Sequence, residues 1–258
     1  MLSKAEIQRN LKTHIIGRKM FVFESLDSTN SCAKTLAETG TPAGTVVVAD
    51  HQTAGRGRMG RSWVSEPGLN LLFSIVLRPS FPKESSGLLT FYSAVFIARA
   101  LEKATGHSIE CKWPNDILIN GKKCCGILLE NSFLLNRLDF SIIGIGVNVN
   151  QPAFEDSLAA SATSLFIEFG RAFDRRTLLQ TILREADVSF PLVMKNEPNK
   201  IMKEWNARCS MFGKPVTIAN KEQLISGTAL RLDPEGGLVI ETPVGQSTYY
   251  AGDVTVIQ

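Results

Sequence analysis

Three arginines fall within six residues at Arg56, Arg58 and Arg61, interleaved with Gly55, Gly57 and Gly60 shortly after the apolar run Val46-Val47-Val48-Ala49. Guanidiniums held this close repel one another unless an anion neutralises them. Glycine allows the backbone a positive φ and a close approach to a ligand. Such a loop is expected to move when empty and to close around something negative. A second cluster, Lys112-Trp113-Pro114-Asn115-Asp116, combines an amine, a large ring and two polar groups. The proline biases Trp113 to extended backbone, which puts Asn115 and Asp116 on a turn between strands. A third, Ser28-Thr29-Asn30, reads as a helix start with hydroxyls and backbone N–H groups to offer a carbonyl or an anion. Cations, hydroxyls and backbone N–H groups together suit the binding of an anion or a carbonyl.

Each cluster also has a plainer reading. Gly55, Gly57 and Gly60 spell G-x-G-x-x-G, but the dinucleotide fingerprint needs a helix at the third glycine and an acidic residue about 20 positions on. Here Arg61-Ser62-Trp63-Val64-Ser65-Glu66-Pro67-Gly68 breaks any helix, and Ile75 to Pro79 offers no carboxylate. An RGG-type nucleic-acid segment would be longer and of low complexity. A solvated basic turn, a helix cap at Ser28 to Asn30 and a structural Pro-Asn-Asp turn all remain open on these residues alone.

The elements that must carry these groups follow from patterning. Ser3 and Glu6 fit a capping box for a first helix with Ile7 and Leu11 on one face. Met20 to Ser25 reads as a strand, and a helix through Ala33, Leu36 and Ala37 stops at Gly40. Thr45 to Ala49 and Leu69 to Leu77 read as strands, and Ser86 to Ala104 as a helix. Ile117 to Ile119 and Lys123 to Leu129 form a hairpin about Asn120-Gly121, a type I′ pair. Phe140 to Val149 is a strand whose Gly144 and Gly146 are costly unless a ligand or another backbone comes close. Pro152 to Ser164 reads as a loop. Asp174 starts a helix that Pro191 is expected to kink, and Pro198 to Arg208 is another. From about Met211 short β runs at 215–218, 225–232, 238–240 and 254–257 read as a small barrel.

At 258 residues, 44% apolar and 21% charged, the chain has the composition of a soluble globular protein. A net charge of +3 is too small to argue for nucleic acid, so the basic character matters only locally. No apolar run approaches a membrane span, and Met1 to Asn10 is unlike a signal peptide. Five cysteines without C-x-x-C spacing, and three scattered histidines, fit reduced cytoplasmic thiols and give no metal-ligand set.

Taken in order, Ser28-Thr29-Asn30, Gln52, Gly55 to Arg61, Trp63, Lys112 to Asp116, Lys123, Gly126 and Gly144-Ile145-Gly146-Val147-Asn148 make the chain resemble the biotin–protein ligases over residues 15 to 258. The resemblance implies an α/β (α+β) fold. Residues 1–210 would form a class II synthetase-like catalytic domain, a mixed β-sheet with flanking helices, and residues 211–258 an SH3-like C-terminal β-barrel. It implies biotin and ATP as substrates with Mg²⁺, a biotinyl-5′-AMP intermediate, and transfer to a lysine of the biotin carboxyl carrier domain of a carboxylase. Arg58 and Lys123 would contact the biotin carboxyl and the phosphate. Ser28, Thr29, Asn30, Gln52, Gly55, Arg56, Gly57 and Gly126 would hold biotin. Trp63, Asn115 and Asn148 would hold the adenylate, and Asp116 would serve as base, as magnesium ligand or as cap. Many bacterial relatives carry an N-terminal winged-helix DNA-binding domain, for which too few residues precede this catalytic region, so no DNA partner is expected; a homodimer is left open. Ile257 stands where some relatives place an arginine that touches ATP, so that contact is not carried over. Two alternatives are a lipoate–protein ligase and a non-catalytic sensor of biotinyl-adenylate. The full arginine loop speaks against the first, and intact Arg58, Lys123 and Asp116 against the second.

Overall fold

Alternating side chains give the main sheet one face for a large core and another for a helix and a cavity. The computed structural model describes residues 1–79, 82–194, 197–220 and 223–257. Strands β1 (Met20–Leu26), β2 (Val46–Gln52), β3 (Leu71–Leu77), β4 (Glu110–Lys112), β5 (Asp116–Ile119), β6 (Lys122–Leu134) and β7 (Arg137–Val147) pair in the order β1-β2-β3-β7-β6-β5-β4. β1 and β2 run parallel and the other neighbours antiparallel, so the sheet is mixed. The helices are α1 (Lys4–Gln8), α2 (Thr29–Glu38), α3 (Leu88–Thr105), α4 (Asp156–Ala159), α5 (Leu165–Phe169), α6 (Arg175–Met194) and α7 (Pro198–Ala207).

Leu71, Phe73, Ile75 and Leu77 of β3 join Ile143, Ile145 and Val147 of β7 in the large core, with Phe96 of α3 and Ile182 of α6. The residues between them, Val76, Ile142 and Phe140, pack instead with Ala33 and Ala37 of α2. A period of two therefore sends Ser74, Gly144 and Gly146 to the α2 side. Gly126, between the core residues Cys125 and Ile127, and Asp116, before Ile117, face the same way.

Several expectations need correction. Ser3 sits at the N-cap of α1 but its side chain makes no capping bond, so the capping box does not form. The stretches Glu110–Lys112 and Gly245–Tyr249 are strands that patterning left unassigned, and α4 lies within the expected loop at 152–164. Other readings hold. Asn120 and Gly121 both have positive φ, 50° and 76°, as a type I′ turn requires. Thr177 N donates to Asp174 Oδ1 at 2.8 Å, and that bond holds the Asp174 carboxyl below its ordinary range.

The C-terminal strands β8 (Pro215–Asn220), β9 (Gln223–Leu232), β10 (Leu238–Thr242), β11 (Gly245–Tyr249) and β12 (Asp253–Val256) form an antiparallel sheet in the order β11-β10-β9-β8-β12. The expected barrel is not closed, because β11 and β12 end the sheet without pairing with each other. The reason lies in burial. Val216, Ile218, Ala229, Leu238, Ile240 and Val254 belong to the same continuous core as the main sheet. Trp113 Nε1 donates to Gly236 O at 3.0 Å, and Gly236 packs on the Phe91 ring, so the larger unit covers the apolar face that closure would otherwise have to hide.

A buried ion pair ties the chain's start to α6. Asp50 Oδ1 accepts from Arg175 Nη1 at 2.8 Å, with the two side chains 8% and 10% exposed. Leu2 N donates to Asp50 Oδ2 at 3.0 Å. Removing one partner of such a pair leaves a buried charge uncompensated, so Asp50→Asn is expected to lose about 3 kcal/mol of stability in urea unfolding. No helix among the described residues is long and apolar enough to cross a membrane.

Candidate active site

On the α2 side a cavity of about 390 Å³ opens over β5, β6 and β7. Its wall brings together Ser28, Thr29, Asn30, Gln52, Arg56, Gly57, Arg58, Trp63, Asn115, Asp116, Lys123, Gly126 and Asn148, although they come from stretches more than a hundred residues apart. Gly55 is not part of that wall. A side chain there would strike the Trp63 carbonyl and crowd Gln52 Nε2, so this glycine serves the loop's shape.

One end of the cavity is walled by the neutral groups of Thr29, Asn30 and Gln52, backed by the Glu130 carboxylate, and is closely hydrogen-bonded. Gln52 Oε1 accepts from the backbone N–H of Thr29 at 2.7 Å and from its hydroxyl at 2.9 Å. Ser74 Oγ lies 2.8 Å from Thr29 Oγ1 and 2.6 Å from Asn30 Oδ1. Asn30 Nδ2 donates to Glu130 Oε2 at 2.6 Å. Ser28 stands at the N-cap of α2 with extended φ of −157°, yet its hydroxyl makes no capping bond, so the plain capping reading fails for its side chain. Gly144 leaves room for the Asn30 amide. The close neighbour that the strand glycines required is thus a side chain, and at Gly146 it is the Trp63 ring.

The other end is cationic. The arginine loop folds into a narrow turn, with Gly57 N donating to Arg61 O at 2.6 Å and Trp63 N to Gly55 O at 2.9 Å. Met59 and Gly60 take left-handed φ of 54° and 75° at its tip. The chain itself supplies anions for two of the three guanidiniums, and neutral acceptors for Arg58. Arg56 Nη2 meets Glu130 Oε2 at 3.0 Å, and Arg61 pairs with Asp253. Arg58 Nη1 donates to Asn115 Oδ1 at 3.1 Å and to Gly252 O at 3.4 Å. Burial draws the Arg58 guanidinium below its ordinary value; Asp253 and Asp116 oppose that shift and Arg61 adds to it. It stays a cation.

Asp116, the first residue of β5, sits opposite Lys112 and Gly126 in register. Its Oδ1 lies 2.7 Å from Lys123 Nζ, which also stands 5.7 Å above the Trp63 ring centre. Asn115 Nδ2 donates to Ile127 O at 2.6 Å, so both ends of its amide have partners. Asn148 Nδ2 donates to Thr163 O at 3.0 Å.

The Trp63 ring packs against Gly146 and Gly126. A Cβ on Gly146 would come within 2.5 Å of its ring and one on Gly126 within 2.8 Å. Gly146→Ala is therefore expected to lift the indole into water. The other tryptophans, Trp113 and Trp205, are fully buried, so a red shift of the emission spectrum would report Trp63.

Among the residues that sequence reading did not single out, Ser74 and Glu130 bond to Asn30 of the wall and Asp253 pairs with Arg61. Ser74 is a hydroxyl inside the apolar run Leu71 to Leu77, and Glu130 a carboxylate ending Gly126 to Leu129, which are the signals that could have found them.

With this geometry established, comparison with known proteins is specific. The profile of the Biotin/lipoate A/B protein ligase family matches residues 22–148, and that of the Biotin protein ligase C terminal domain matches residues 211–256. The Bifunctional ligase/repressor BirA of Bacillus subtilis is 39% identical over 255 residues, 98% of this chain and 78% of that protein. The Biotin--[acetyl-CoA-carboxylase] ligase of Paracoccus denitrificans is 33% identical, over 88% of this chain and 96% of its own length. The solved structure of the biotin protein ligase from Aquifex aeolicus in complex with biotin and ATP superposes with a TM-score of 0.77 at 30% identity, over 93% of this chain and 99% of that one.

Proposed function

The chain belongs to the biotin/lipoate A/B protein ligase family, and we propose that it joins biotin to a carrier protein in two steps through biotinyl-5′-AMP. It is an ATP-dependent biotin–protein ligase, with biotin and ATP as its substrates. In the first step a biotin carboxylate oxygen attacks the α-phosphorus of ATP and pyrophosphate leaves. In the second, the ε-amine of a lysine in a carboxylase's biotin carboxyl carrier domain attacks the activated carbonyl. The C–O bond breaks, AMP leaves, and the amine gives up its proton.

The observation that carries this reading is one cavity with two unlike ends. The Thr29, Asn30 and Gln52 end offers neutral hydrogen bonds suited to an uncharged ring such as the ureido group of biotin, with Ser28, Arg56, Gly57 and Gly126 around it. The Arg58 and Lys123 end offers cations where carboxylate and phosphate, two anions, must meet. Preorganised cations lower that barrier because they stabilise charge in the transition state without reorganising. Trp63, Asn115 and Asn148 form the wall assigned to the adenylate. The Mg²⁺ that accompanies ATP would be held mostly by phosphate oxygens and water, and would neutralise phosphate charge. Residues 1–210 would supply the catalytic unit, and residues 211–258 would brace it through Gly252 and Asp253.

The test is incubation with ATP, Mg²⁺, a purified carrier domain and either labelled biotin or labelled lipoate. Label from biotin on the carrier lysine is expected. Label from lipoate alone would overturn the reading.

A further inference from the structure

We propose that Glu130 is a positioning residue that sets the hydrogen-bond polarity of the biotin end, an inference that rests on the ligase reading above. Glu130 extends from β6, and its Oε2 accepts from two separate elements: Asn30 Nδ2 of α2 at 2.6 Å and Arg56 Nη2 of the arginine loop at 3.0 Å. A carboxylate can only accept. Asn30 is 3% exposed, and its Nδ2 has just one other acceptor, Leu128 O at 3.4 Å, so the carboxylate decides which way the amide faces.

That choice propagates. With Nδ2 turned to Glu130, Oδ1 must take the single hydroxyl proton of Ser74, 2.6 Å away. Ser74 Oγ then faces Thr29 Oγ1, 2.8 Å away, with lone pairs rather than a proton. Gln52 Oε1, already an acceptor for the Thr29 amide, presents lone pairs as well. The Thr29 hydroxyl proton therefore points inward to one of these acceptors, and its own lone pairs are left for the ligand. A wall polarised this way suits a neutral ring that donates N–H, as a cyclic urea does, and gives nothing to a dithiolane. The same carboxylate holds Arg56, so ring recognition and loop position share one anchor.

Glu130→Gln keeps the size but lets the new amide donate to Asn30 Oδ1, which abolishes the fixed sense of the chain. The expected result is a biotin KM raised roughly tenfold, in line with losing a charged hydrogen bond, with kcat and the KM for ATP close to wild type. Glu130→Asp keeps the acceptor and should recover much of the loss. In an Arg56→Ala background, Glu130→Gln should still raise the biotin KM, because the Asn30 arm remains. If Glu130→Gln fails to fold, Ser74→Ala breaks the same chain one link on and should give the same split. An unchanged biotin KM in these variants would overturn the proposal, as would a parallel fall in kcat and rise in the KM for ATP. Calorimetry of biotin alone on the wild-type protein keeps the two readings apart: no binding there defeats the ligase reading, while a loss confined to the variants supports the role of Glu130.

Discussion

Arg58→Ala is expected to slow formation of biotinyl-adenylate by about 10²–10³-fold while biotin binding weakens far less. The argument starts from the reacting groups. A carboxylate approaching a triphosphate meets like charge, and the charge on the departing pyrophosphate grows as the bond breaks. A cation that touches both groups therefore contributes most in the transition state and little to the bound ground state. Arg58 has the placement for this. It is half-buried and held by Asn115 Oδ1 and Gly252 O. A cation away from bulk water acts on neighbouring anions through a lower dielectric, which enlarges the effect. Arg58→Lys should restore only part of the rate, since an ammonium cannot span two anions with a planar fork. Isotopic exchange between pyrophosphate and ATP measures this step alone. Exchange at the wild-type rate in Arg58→Ala would remove Arg58 from the chemistry.

Arg58 also marks how far the sequence could be read. Arginines spaced by glycines singled this loop out, and Arg56, Arg58 and Arg61 do line the cavity. The companion cluster Lys112 to Asp116 and the strand glycines Gly144 and Gly146 were legible for a similar reason: each is expensive in an ordinary strand or turn. Glu130 and Asp253 were not legible. A carboxylate at the end of an apolar run looks like any solvated residue until the fold brings a guanidinium to it across 74 positions from Arg56, or 192 from Arg61. Ser74 was hidden because a strand of period two always has a second face, and only α2 defines what that face meets. The open C-terminal sheet was missed on similar grounds. Patterning shows that 216, 218, 238, 240 and 254 must be buried, but not that the core of the larger unit would bury them.

The second large effect separates the two half-reactions at Asp116. Biotin is already a carboxylate at neutral pH, so adenylation needs cations and no base. Transfer is different, because an ordinary lysine has a pKa near ~10.4 and is almost wholly protonated at pH 7. Asp116 lines the cavity beside Lys123, with 2.7 Å between Oδ1 and Nζ. A carrier lysine entering there can donate a hydrogen bond to the carboxylate, which orients the amine toward the activated carbonyl and gives its proton somewhere to go. The negative charge also favours the ammonium form, so orientation contributes more than basicity. Asp116→Asn removes the charge and keeps the shape. Lys123 then loses its anionic partner but keeps its place on β6, free to serve the phosphate. The expected variant makes biotinyl-adenylate at close to the wild-type rate and transfers it about 10²-fold more slowly, the scale of a misplaced reacting group. Raising the pH should recover only a minor part of that loss, since deprotonation by solvent does not replace positioning. Single-turnover transfer from preformed biotinyl-adenylate isolates the step. Unimpaired transfer combined with slow adenylation would assign Asp116 to the Mg²⁺ that accompanies ATP, and the amine would then lose its proton to water.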